Sequence, residues 1–501
     1  MHARSGEPRD PSTTGFFPVS SKNLIAALAA GLLFRFFFIA HFPFTAGDTK
    51  FYEELARNWL DHGVYGLFVN GRLLPVDMRM PGYPAFLATI YAIAGRGDKS
   101  VMLAQAAIDL LGCVAAAMLA ARLAPESKRK IVATVALWVA ALCPFTANYT
   151  AAILTESLAA FFTMAALLVL AIALGQRALK RRVAWLAKRD VFTLAGWFFA
   201  GGIVAGSGAL VRPETPVILA AAGGVLLVRL RRRADWSKLT LAFAWMAAGL
   251  VLALAPWAIR NARTLGRIQF LAPYYAQSNG DFIPMGFYAW TRTWMTHEQD
   301  NYLVPWRLGK GPILIQTLPD SAFDSPAERT LVTELLREYN NGWQMTPLLD
   351  RQFAALARAR VARHPPRTYL EIPIARAATI WLRPRVELLH YSGELWPLRE
   401  RRRESPTDFD ASLGYGLLNI FYIGLGIAGA WRCRANPAAA LIVLYLILRT
   451  ALLATMPTIE PRYVVVCFPA LIALGAQIFG SVQSRQTEEI GAPLELTHAA
   501  S

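Results

Sequence analysis

The sequence predicts an all-α polytopic membrane protein, and three observations predict it. Apolar residues make up 55% of the 501 residues, against 17% charged. They gather in runs long enough to cross about 30 Å of hydrocarbon at ~1.5 Å per residue. The basic connections between runs fall on one side when the runs alternate, as orientation in a membrane requires.

Ten runs have this character, at about 22–41, 99–122, 131–147, 153–174, 191–211, 215–230, 237–258, 412–431, 437–456 and 462–482. A further segment, TYLEIPIARAATIWL at 368–382, is short and carries Glu371, Pro373 and Arg376. It reads as a helix lying at the outer interface or as a span paired with a second short crossing, so the count is 10 or 12. The N-terminus carries charges and Pro11 and lacks a small-residue cleavage site after the first run. That predicts a retained helix rather than a signal peptide.

The formal net charge is +17. The basic groups are Lys128-Arg129-Lys130, Lys180-Arg181-Arg182 with Lys188-Arg189, Arg229 with Arg231-Arg232-Arg233, and Arg432 with Arg434. Their placement assigns the charge to orientation and to anionic membrane lipid, not to nucleic acid, and puts both termini inside. Cys113, Cys143, Cys433 and Cys467 form no CxxC pair and no cluster with histidine. A disulfide framework or a cysteine zinc site is therefore not expected.

With both ends inside, the chain divides into a disordered tail at 1–20 and a membrane core at 21–260 containing a first outer loop at 42–98. An outer subdomain at 261–411, C-terminal membrane helices at 412–482 and a second disordered tail at 483–501 follow. The subdomain is too polar for lipid and too aromatic for disorder; helices are expected near 325–341 and 347–363. The first loop reads as two interfacial helices. In one, Phe51, Leu55 and Trp59 share a stripe with Tyr52, Ala56 and Leu60, and Gly63 stops it. The other begins at Pro81.

Two acids and several arginines at the outer ends of the runs ask for explanation. Asp48 has two readings. It opens a helix, where an aspartate caps free N–H groups, and Thr45 three residues earlier fits a capping box. It is also a carboxylate at the membrane surface. Glu156 likewise begins a membrane run, where it or Thr155 serves as a cap or the acid faces a polar cavity. Arg79, Arg212, Arg260 and Arg462 stand at outer ends against the positive-inside bias. Snorkelling accounts for any one of them, whereas four together ask for an anionic partner, and arginine suits phosphate. Arg35 and Asp109 lie inside the first two runs at depths that let them meet as a structural ion pair.

These pieces together resemble the GT-C membrane glycosyltransferases. GDTKFYEELARNWLDHGVYG followed by RMPGYPAFLATIYAIAG is similar to their first outer loop, and LTESLAAFF, LVRPETP, PWAIRNARTLGR and EPRYVVVCFPALIAL follow in the usual order. The resemblance is to the bacterial branch near glycosyltransferase family 39, with the lipid A aminoarabinose transferases and the protein O-mannosyltransferases. It covers roughly 20–270 and 455–482.

The resemblance implies a GT-C fold in a bacterial inner membrane with the site facing the periplasm. It implies transfer of a hexose or pentose, with inversion, from a polyprenyl phosphate to an envelope lipid, polysaccharide or protein. Asp48 then matches the catalytic aspartate and Glu156 the second acidic position. Arg79 and Arg212 match basic groups near the donor phosphate, and Arg260 and Arg462 fall at further family positions. Where the protein mannosyltransferases carry adjacent acids, this chain has Gly47-Asp48. A divalent metal stays open, and no His/carboxylate ligand set emerges from the sequence. The competing reading is a transporter or flippase for a lipid-linked sugar, which predicts inverted repeats and mid-membrane polar sites.

Overall fold

The computed structural model describes residues 18–45, 47–176, 188–231, 235–275 and 281–480. Most of the expected tail at 1–20, all of that at 483–501, and the basic residues 180–182, 232 and 233 lie outside the described residues.

The chain is helical, with a single two-stranded hairpin among the described residues. Among the described residues eight helical stretches are long and apolar enough to cross a membrane: Ser21–His41, Asp98–Leu123, Glu156–Gly175, Phe192–Val211, Trp236–Leu265, Pro406–Arg432, Pro437–Ala454 and Pro461–Gly480. In chain order, α1 is Ser21–His41, α2 Asp48–His62, α3 Gly82–Ala94 and α4 Asp98–Leu123. Next come α5 Arg129–Ala141, α6 Pro144–Tyr149, α7 Glu156–Gly175, α8 Lys188–Val211, α9 Val217–Arg229 and α10 Trp236–Leu265.

The two other apolar runs fold as shorter pieces. The run at 131–147 breaks after Ala141 into α5 and α6, because Pro144 has no N–H to continue the ladder and instead takes the first position of α6. Arg35, fully buried in α1, donates to the Ala141 carbonyl freed by that break at 2.8 Å. Its Nε reaches Asp109 Oδ2 of α4 at 3.0 Å. Charge pairing and a broken helix end thus satisfy one another away from water. The run at 215–230 becomes α9, 13 residues long.

α8 and α10 pack backbone to backbone. A Cβ on Gly202 would lie 2.2 Å from the Met246 carbonyl, and one on Gly249 would lie 2.2 Å from that of Phe199. Small residues permit this approach where lipid offers no hydrophobic drive between helices.

The first loop holds α2 and α3 as expected, with α3 starting at Gly82 rather than Pro81. Between them stands a hairpin that the helical reading of the loop passed over, β1 (Gly66–Val69) paired antiparallel with β2 (Arg72–Pro75). Its turn is Asn70-Gly71, both at positive φ (50° and 76°), the residues a two-residue hairpin turn selects.

Beyond α10 come α11 (Met285–Thr291), α12 (Gln299–Leu303), α13 (Pro326–Asn340), α14 (Pro347–Arg363) and α15 (Ile372–Leu382). α13 and α14 sit where the sequence places helices, capped by Ser325 and Thr346. Phe287, Trp290, Trp294, Tyr339 and Phe353 form an aromatic core that continues into Leu453 and Val464 of the membrane helices and Ile459 of the loop between them. The segment 368–382 is a π-helical turn leading into α15. Arg376 within it is buried and donates to the carbonyls of Met295 (2.8 Å) and Met456 (3.0 Å), joining the region after α10 to the bundle. The chain closes with α16 (Leu398–Glu404), α17 (Pro406–Arg432), α18 (Pro437–Ala454), a 3-10 stretch Pro461–Cys467 and α19 (Phe468–Gly475).

Candidate active site

Asp48 is the first residue of α2, and it does not cap it. The residue at the cap position is Gly47, whose φ of 63° an L side chain rarely adopts, and no side chain caps the helix. The Thr45–Asp48 capping box is therefore not formed. The carboxylate faces arginines instead: Arg79 Nη2 donates to Oδ1 at 3.3 Å and Arg462 Nη2 to Oδ2 at 3.2 Å.

Glu156, the first residue of α7, behaves in the same way. Neither it nor Thr155 caps the helix. Arg212 Nη2 donates to its Oε1 at 3.4 Å, and Arg462 Nε lies 3.9 Å from the same oxygen. Arg462 thus links the two acids. Asp48, Arg79 and Arg462 have side chains 32%, 26% and 23% exposed, whereas those of Glu156 and Arg212 are 2% and 10%. The cluster has a wet edge and a dry base.

Backbone ties make this meeting specific. Phe44 bridges Ala152 in parallel, with Phe44 N donating to Ala151 O at 2.9 Å and Ile153 N to Phe44 O at 3.2 Å. Thr49 Oγ1 donates to Ile153 O at 3.0 Å. The segment before Asp48 is thereby laid along the segment before Glu156. Buried Gln105 of α4 holds the latter, donating to Thr150 O and Ala152 O, and itself accepts from the Tyr83 hydroxyl at 2.7 Å. Tyr65 fixes the Arg79 loop by donating from its hydroxyl to Arg79 O at 3.0 Å.

Four further groups, absent from the sequence reading, complete the network. Glu460 accepts from Arg462 Nε at 2.5 Å and from the Tyr463 hydroxyl at 2.6 Å. The Tyr463 ring lies 4.3 Å from the Arg212 guanidinium, a cation–π contact. Glu214 lies 3.7 Å from Arg212 and 3.2 Å from Arg449, whose Nη2 also donates to Tyr463 O. Glu460 and Tyr463 adjoin Arg462 in TIEPRYVVV, and Arg449 is a lone charge inside an apolar run; those were their available signals. Arg260 does not join the cluster. It donates to the carbonyls of Tyr65 (2.6 Å) and Val76 (2.7 Å) and so braces the hairpin loop.

Burial pushes the Asp48 pKa up, but Arg462 and Arg79 outweigh it and hold the carboxyl below its ordinary value. Glu214 is held low in the same way, burial being outweighed by Arg212 and Arg449. Glu156 Oε2 and Arg212 Nη1 are buried with no protein partner among the described residues. They leave hydrogen-bonding capacity for a polar ligand. Both acids are engaged by guanidiniums. Among the described residues no three His, Cys, Asp or Glu side chains are grouped to ligate a metal.

No protein-family model and no curated protein matches the chain. Solved structures do. The apo oligosaccharyltransferase of Archaeoglobus fulgidus superposes with a TM-score of 0.50 at 15% identity, over 95% of this chain and 52% of that one. The fold is that of the GT-C membrane glycosyltransferases. Archaeal oligosaccharyltransferase AglB from Archaeoglobus fulgidus, in complex with an inhibitory peptide and a dolichol-phosphate, matches at a TM-score of 0.48 and 16% identity, over 95% and 52% of the two chains. ArnT from Cupriavidus metallidurans bound to undecaprenyl phosphate matches at 0.39 and 16%, over 95% and 81%. This chain spans about half the length of the oligosaccharyltransferases it resembles. At such identities the likeness establishes the fold and assigns no residue a role.

Proposed function

We propose that the chain is an inverting glycosyltransferase that takes a sugar from a polyprenyl-phosphate donor and passes it to an envelope acceptor. The site faces the outside of a bacterial inner membrane. The observation that carries this reading is the meeting of Asp48 and Glu156 with Arg79, Arg212 and Arg462 at one end of the bundle. A transporter would need polar sites at mid-membrane; the buried pair there, Arg35 and Asp109, is spent on itself and on local carbonyls.

In this mechanism the acceptor hydroxyl attacks the anomeric carbon while Asp48 takes its proton as general base. The bond from that carbon to the donor phosphate oxygen breaks, and its electron pair leaves with the polyprenyl phosphate. Arginines at the wet edge stabilise the charge that develops. Glu156 positions the acceptor. Arg79 and Arg462 now hold Asp48, and they are also the groups that the donor phosphate would claim. Donor binding would therefore loosen the grip on Asp48 and raise its basicity at the moment a base is needed.

The test is sugar transfer from a synthetic polyprenyl-phosphate donor by purified protein in nanodiscs. Asp48→Asn keeps the shape and loses the base, so turnover should fall by the ~10²-fold or more that general-base catalysis contributes, with folding intact. Normal turnover by Asp48→Asn would remove Asp48 from the mechanism and send the search for a base to Glu156.

A further inference from the structure

A second basic site lies at the end of the bundle opposite Asp48. A cavity of about 380 Å³ opens there between the last turns of α4, α7 and α9 and the first turn of α18. Arg122, Arg129, Arg229, Gly175, Asn436 and Pro437 line it, and among the described residues no carboxylate does. Its volume lies within the ~300–1,000 Å³ of small-ligand sites. A Cβ on Gly175 would meet no described residue within 4 Å. Asn436 Nδ2 donates to the carbonyls of Arg122 (3.3 Å) and Leu123 (3.2 Å), which ties the start of α18 to the end of α4 and fixes one wall.

Arginines at helix C-termini ordinarily cap carbonyls or reach for water. That accounts for one donor of Arg229, which reaches Leu174 O at 2.9 Å. It does not account for the rest. Among the described residues Arg129 pairs only with Glu126, at 3.3 Å, whose side chain is 90% exposed, and such pairs contribute little. The Arg122 guanidinium has no hydrogen bond or ion pair among the described residues. Capping also requires no concave wall, whereas here three guanidiniums share one.

Guanidinium forks match phosphate oxygens, and basic pockets between helix ends at a membrane surface take phosphorylated head groups. We infer that this cavity binds a phosphate group, supplied by the head of an anionic phospholipid or by a soluble phosphate, on the face opposite the Asp48 cluster. The inference is independent of the proposed transferase reaction.

Native mass spectrometry and titration of the purified full chain would test it, with phosphatidylglycerol against phosphatidylcholine. The pocket variant is Arg122→Gln with Arg229→Gln. The control is Arg432→Gln with Arg434→Gln, which removes equal charge from the same end of the bundle outside the cavity. A guanidinium hydrogen-bonded to a charged phosphate contributes a factor of roughly ten or more. The pocket variant should therefore lose phosphatidylglycerol affinity by about 100-fold, and the control by far less. Equal losses in both would show diffuse surface attraction and overturn the site. Inorganic phosphate titrated in phosphatidylcholine nanodiscs separates the sources. Saturable binding lost in the pocket variant identifies a soluble ligand, and phosphatidylglycerol retention alone identifies the lipid. Parent-like behaviour of the pocket variant in both arms also overturns the site. Arg122→Gln alone removes no hydrogen bond among the described residues and carries the test should the double variant not fold.

Discussion

At the residue scale, the proposed base Asp48 is under restraint, with Arg462 and Arg79 holding its pKa below the ordinary value against the opposing push of burial. If the donor phosphate draws those arginines away, the restraint lapses in the bound complex. The acidic limb of kcat/KM, which reports the free enzyme, should then lie at lower pH than the acidic limb of kcat, which reports the complex. Coincident limbs in a pH-rate series would mean that the arginines stay on Asp48 throughout. The arginines themselves call for different substitutions. Arg79 is partly exposed and holds Asp48 alone among the acids. Arg79→Gln should leave the fold intact and weaken donor binding by roughly 10- to 150-fold, the ~1.5–3 kcal/mol of a hydrogen bond to a charged group. Arg212 is buried against Glu156 and Glu214. Removing it strands buried charge, at a cost of ~3–5 kcal/mol, so Arg212→Ala should fail by loss of folded protein on size exclusion rather than by loss of affinity. The sequence marks these residues because charge beside an apolar run stands out. It does not show that Arg462 bridges the two acids or that Arg260 turns away, since pairing depends on contacts between distant segments.

At the scale of elements, apolar periodicity and turn residues locate most helices, and a turn signal also marked the one element passed over. Asn70-Gly71 between VYGLFV and RLLP is a hairpin signature embedded in a loop read as helical. The tie that sets Asp48 beside Glu156, a bridge from Phe44 to Ala152 held from behind by Gln105, left no local pattern to read. A further element-scale contact lies just outside the cluster. Glu298, preceding α12, pairs with Arg383 at 2.8 Å, yet burial, with Glu387 and Glu460 nearby, pushes its pKa up to about 7. The folded chain therefore binds this proton more tightly than the unfolded chain does. Between the ordinary glutamate value near 4.5 and about 7, stability should fall as pH rises and remain lower above that window. Thermal melts of parent and Glu298→Gln across pH 4.5–8 should show this slope in the parent and a flatter one in the variant. An unchanged slope would place the titrating group elsewhere.

Over the whole molecule, the two ends of the bundle differ in how their charge is balanced. At the Asp48 end the arginines are matched by carboxylates: Arg79 and Arg462 with Asp48, Arg212 with Glu156, Arg449 with Glu214. At the other end Lys128, Arg129, Lys130, Arg229, Arg231, Arg432 and Arg434 outnumber the acids of the short connections, Glu126, Asp190 and Asp235. Retention of basic residues depends on Lys and Arg in short loops, so this end should stay inside and the Asp48 end should face out. Orientation also decides chemistry, because a polyprenyl-phosphate donor suits a compartment without nucleotide sugars. Three exposed positions test it as single cysteines: Asn70 in the hairpin turn and Asn341 after α13 on one side, Lys130 at the start of α5 on the other. The background needs alanine at Cys113, Cys143 and Cys467, which are buried, and at half-buried Cys433. An impermeant maleimide applied to intact spheroplasts should label the cysteines at 70 and 341, with that at 130 reacting only after lysis. The reverse pattern would turn Asp48 toward the cytoplasm and leave the outer-face transferase without its site.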